Sequence, residues 1–74
     1  MSDEDALRVQ RQAASQRDVA ARALYRAELA VHDAHESRVD AWIRAANDHL
    51  HEAMVQYLAA AAALSSLQCR ADAA

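Results

Sequence analysis

All four histidines of this chain, His32, His35, His49 and His51, fall within the stretch from His32 to Glu52. Imidazole and carboxylate groups at helical spacing are the materials of a metal site. His32, His35 and Glu36 share one helical face, and His49 with Glu52 has the i, i+3 spacing used in metal-holding bundles. Two considerations weigh against that chemistry. A di-iron bundle needs more carboxylates, drawn from four helices, than this chain offers. If the chain reverses near Ser37, His49 comes opposite about residue 25, roughly 10 Å along the axis from His32. The two groups then meet only through a second chain. The plainer reading is a set of surface residues flanking a turn, so no metal or other cofactor is expected. His32, His35, Glu36, His49 and Glu52 remain the candidate ligands. Imidazoles also change charge near neutral pH, which offers a second role in tuning assembly.

No catalytic constellation stands out. Asp33, His35 and Ser37 supply the residue types of a hydrolytic triad, but neighbours at one helix end cannot form a relay with an oxyanion hole. With Gly and Pro both absent, there is no phosphate-cradling loop. A single hairpin also has no concave pocket. The expectation is that the chain is not an enzyme.

Arg8, Arg11, Arg22 and Arg26 lie on one side of the first half. Asp18 and Glu28 are interleaved, no aromatics accompany them, and the net charge is −3, so nucleic acid is not the expected partner. A small regulator, such as an antitoxin, is the alternative that this stripe keeps open. The lone cysteine, Cys69, excludes an internal disulfide and fits a reducing compartment. The acidic start MSDEDALR does not read as a secretory signal, and the expected setting is cytoplasmic.

The elements that carry these residues are helical. Alanine, the strongest helix former, dominates, and 74 residues make one small domain over 1–74, near the limit of what a single core supports. Ser2 with Asp5 has capping-box spacing, so a first helix is expected from about residue 3. Along it Ala6, Ala13, Ala20, Ala27 and Ala34 recur every seventh position, with Leu24 and Val31 on the same face. In the second half Val39, Ile43, Ala46, Leu50, Met54, Tyr57, Ala61, Leu64 and Gln68 follow by threes and fours. That stripe runs in phase through Asn47-Asp48, so this pair reads as helix interior.

The two stripes are out of phase by on the order of 100°, which requires a break between Ala34 and Val39. Ser37 and Asp40 there have the spacing of a second capping box. The sequence therefore predicts an all-α antiparallel hairpin. Its helices run over about 3–35 and 38–69, its turn lies near Ser37, and its ends at 1–2 and 70–74 are frayed. A single continuous rod is the competing architecture, because no Gly or Pro enforces the reversal.

Residues 53–69 carry no charged side chain, yet Gln56, Ser65, Ser66 and Gln68 make the segment too short and polar for a membrane span. An uncharged helix is usually a buried one. The first helix has a further apolar patch at Leu7, Ala14, Ala21, Tyr25 and Leu29. Two apolar faces on so small a hairpin imply a protein partner, which is either the chain itself or a larger complex. The expected interface is Ala20, Leu24, Val31, Val39, Trp42, Ile43, Leu50, Met54, Tyr57 and Leu64. Trp42, beside the turn, is read either as an interface anchor or as a plug for the hairpin's end.

Two equal helices with Trp42 beside the bend and Tyr57 further along resemble the small WXG-type effectors of type VII secretion. Trp42-Ile43-Arg44 stands where that family has Trp-x-Gly. The tail after Leu67, QCRADAA, has no Tyr-x-x-x-Asp/Glu signal. The resemblance implies a secreted helical hairpin. The residues themselves point to a non-catalytic interaction module, either a self-associating helical bundle or an accessory subunit. A metal-binding bundle is the alternative.

Overall fold

The computed structural model describes residues 3–73, with side chains from 3 to 70. It is an antiparallel hairpin of two helices, α1 (Asp3–Ser37) and α2 (Asp40–Ala73), packed along their length. The particle measures 54 × 16 × 14 Å, the length of one helix of this size at about 1.5 Å per residue. Its radius of gyration is 16.7 Å, whereas a compact domain of this length has about 11 Å. The chain reverses once, so the rod is excluded.

Asp3, Glu4 and Asp5 lie in the first turn of α1, where carboxylates favour the partial positive charge of a helix start. Ser2, the expected cap, and Met1 and Ala74, at ends expected to fray, lie outside the described residues. α2 continues to Ala73, four residues beyond the expected end at 69. Nothing in Arg70-Ala71-Asp72-Ala73 breaks a helix, and alanine favours one.

The turn differs in detail from the expected capping box. Ser37 is the last residue of α1, and α2 begins at Asp40. The first backbone bonds of α2 run from Trp42 N–H (3.0 Å) and Ile43 N–H (3.1 Å) to the Val39 carbonyl, so Val39 occupies the N-cap position. Ser37 instead closes α1. Arg38 takes the left-handed conformation (φ 61°), and its N–H donates to the His35 carbonyl at 3.2 Å, one of the two bonds of a Schellman stop. In the other, the N–H of Val39 would reach the Ala34 carbonyl. Here the Ser37 hydroxyl stands between them, accepting from Val39 N–H at 3.3 Å and donating to Ala34 O at 2.5 Å. A serine and a strained arginine together do what a glycine usually does.

The seam between the helices follows a strict three–four alternation. On α1 the covered positions are Gln10, Ala13, Arg17, Ala20, Leu24, Ala27, Val31 and Ala34. On α2 they are Ile43, Ala46, Leu50, Ala53, Tyr57, Ala60, Leu64 and Leu67. Both repeat every 3.5 residues on average, the heptad of a left-handed coiled coil. Counting outward from the turn pairs Ala34 with Ile43, Val31 with Ala46, Ala27 with Leu50, Leu24 with Ala53, Ala20 with Tyr57 and Ala13 with Leu64. Every one of these layers sets an alanine against a larger side chain. That complementarity lets two helices approach closely without voids.

The seam of α2 corrects the stripe read from a 100° wheel. Ala53, Ala60 and Leu67 replace Met54, Ala61 and Gln68, because the packed helix follows 3.5 residues per turn relative to its partner. Over four turns the difference amounts to about 40°, enough to tip the choice between neighbouring positions at the edges of the stripe.

Candidate interaction surface

The hairpin hides little. Its buried apolar residues are Ala13, Ala27, Ala34, Ala53 and Leu64, so Leu64 is the only large buried side chain among the described residues. Among the described residues ten large apolar side chains are exposed, including Leu7, Tyr25, Leu29, Met54, Val55 and Leu58. The accessible surface is 5876 Å², whereas a compact monomer of 8.1 kDa exposes about 4,500 Å².

The expected interface residues divide into two groups. Ala20, Leu24, Val31, Ile43, Leu50, Tyr57 and Leu64 lie on the seam between the hairpin's own helices. Val39, Trp42 (61% exposed) and Met54 (45%) face solvent. A substitution at Leu50 therefore disturbs the hairpin itself, whereas one at Met54 reads what lies outside it.

Among the described residues, the exposed large apolar side chains are spread over both flanks: Leu7, Tyr25, Met54 and Leu58 fall on one, Val9, Val19 and Trp42 on the other. Leu7, Ala14 and Ala21 sit one position beyond the α1 seam, and Met54 and Ala61 sit one position beyond the α2 seam. Reversing one helix against the other brings these like flanks to the same side of an antiparallel pair. Tyr25 (62% exposed) and Leu58 (63%) lie one step further round, beside them. Ala14, Ala21 and Ala61 are half-buried and form the floor of this face. Toward the turn the same side becomes polar, with Glu28, His32, His35, Asn47 and His51. The opposite flank carries Val9, Gln16, Ala23 and Ala30 on α1 beside Trp42, His49, Gln56 and Ala63 on α2, with Val19 one step further round.

The charged groups form local surface pairs. Arg8 lies 3.6 Å from Asp5 and Arg17 3.1 Å from Asp18. All four side chains are exposed enough that such pairs contribute little. Arg17 is half-buried at a seam position, with its guanidinium paired to the exposed Asp18. Arg8, Arg11, Arg22 and Arg26 are exposed on a single convex helix. A shallow depression at the start of α1, lined by Glu4, Leu7, Arg8 and Arg11, is open to solvent.

Of the candidate metal ligands, His32 Nε2 and Glu36 Oε1 meet at 3.2 Å, one turn apart and both largely exposed. Among the described residues, no group of three or more His, Cys, Asp or Glu side chains is placed to hold a metal ion. In the register counted from the turn His49 comes opposite Glu28, about 6 Å along the axis from His32 rather than 10 Å, and it lies with Glu52 on the other flank of the hairpin. Cys69 is a free, exposed thiol. Among the described residues, no helix is long and apolar enough to cross a membrane.

No protein-family model matches this chain, and comparison with curated proteins and with solved structures gives no match.

Proposed function

We propose that this hairpin is a non-catalytic protein–protein interaction module whose working form is a larger helical assembly, as a self-associating bundle or as a small accessory subunit. The observation that carries this reading is the imbalance of its core. Among the described residues ten large apolar side chains face water, against one that is buried. Scattered single apolar residues need no explanation, but a contiguous apolar face on a small protein marks an interaction site. A seam of alanines supplies little burial, at about 25 cal/mol per Å² of apolar area, to offset the ordering of two long helices. A partner supplies the remainder.

Interleaved charges and a convex arginine stripe favour a protein partner over nucleic acid. The free thiol of Cys69 and the absence of a membrane-spanning helix among the described residues are in keeping with a cytoplasmic setting. The test is the solution mass of the purified chain together with its far-UV circular dichroism. A helical species of two or more chains supports the reading, as does a poorly helical monomer that gains helix when its partner is added. A dilute, fully helical monomer contradicts it.

A further inference from the structure

We draw no further inference here: the strongest candidate, the uncharged outer face of α2 between Ala53 and Cys69 with the exposed Val55 and Leu58, is an unpartnered apolar surface, and nothing in the structure shows what covers it.

Discussion

Ala27 is the most buried residue of the hairpin at 1% exposure, and the register counted from the turn sets it against the half-buried Leu50. Ala27→Leu places two leucines in a layer built for one, and overpacking of this kind costs about 1–3 kcal/mol. Leu50→Ala empties the same layer from the other side. Because Leu50 is only half-covered, its cost belongs near the low end of the usual range, about 2 kcal/mol. If the two positions share a layer, the double variant exchanges large for small and restores its volume. The two losses then fail to add, with a coupling of about 1–3 kcal/mol. Urea unfolding followed by circular dichroism, on all four chains at one concentration, completes the cycle. Ala27→Leu with Leu64→Ala is the control, since that leucine lies 14 residues along α2, about 20 Å away, and its effect should add. A coupling for Ala27 with Leu50 that is no larger than the control's would refute the layer assignment and the register built on it.

Further outcomes follow from the turn and the surface. Arg38→Gly should raise stability by about 0.5–1 kcal/mol, since glycine removes the steric cost of the left-handed conformation but loses more entropy on folding; a lower melting temperature would contradict this. Ser37→Ala should cost about 1 kcal/mol in the same melts, because it leaves the Val39 N–H and the Ala34 carbonyl without their bridge. Asp5→Ala breaks only an exposed pair with Arg8 and should change stability by less than about 0.5 kcal/mol. Equimolar zinc should leave the melting temperature of the tag-free chain unchanged, because His32 and Glu36 gather no third ligand; a clear rise would restore the metal-binding alternative.

Much of the fold was legible because its signals are local. The phase jump between the stripes required a break between Ala34 and Val39, and Ser37 and Arg38 fall inside that interval. The heptad of Ala13, Ala20, Ala27 and Ala34 with Leu24 and Val31 is the seam of α1. The seam of α2 was harder to read. An apolar wheel favours Met54 over Ala53, yet packing prefers the alanine, because the facing residue, Leu24, already fills that layer. Arg38 gave no signal at all, since arginine has no preference for positive φ and only the geometry of the reversal imposes it. The apolar flank beside the seam was half visible. Leu7, Ala14, Ala21 and Tyr25 form a stripe in sequence, but their union with Met54, Leu58 and Ala61 depends on which flanks an antiparallel hairpin brings together.

On the proposed reading the folded state of this chain depends on another chain, because its two helices leave much apolar surface in water. Backbone amide exchange of the purified protein, measured across a wide dilution series, tests that dependence most directly. For a self-associating bundle, protection along α1 and α2 should fall together as the chain is diluted. Full protection of both helices, unchanged at concentrations where sedimentation shows a monomer, would contradict it.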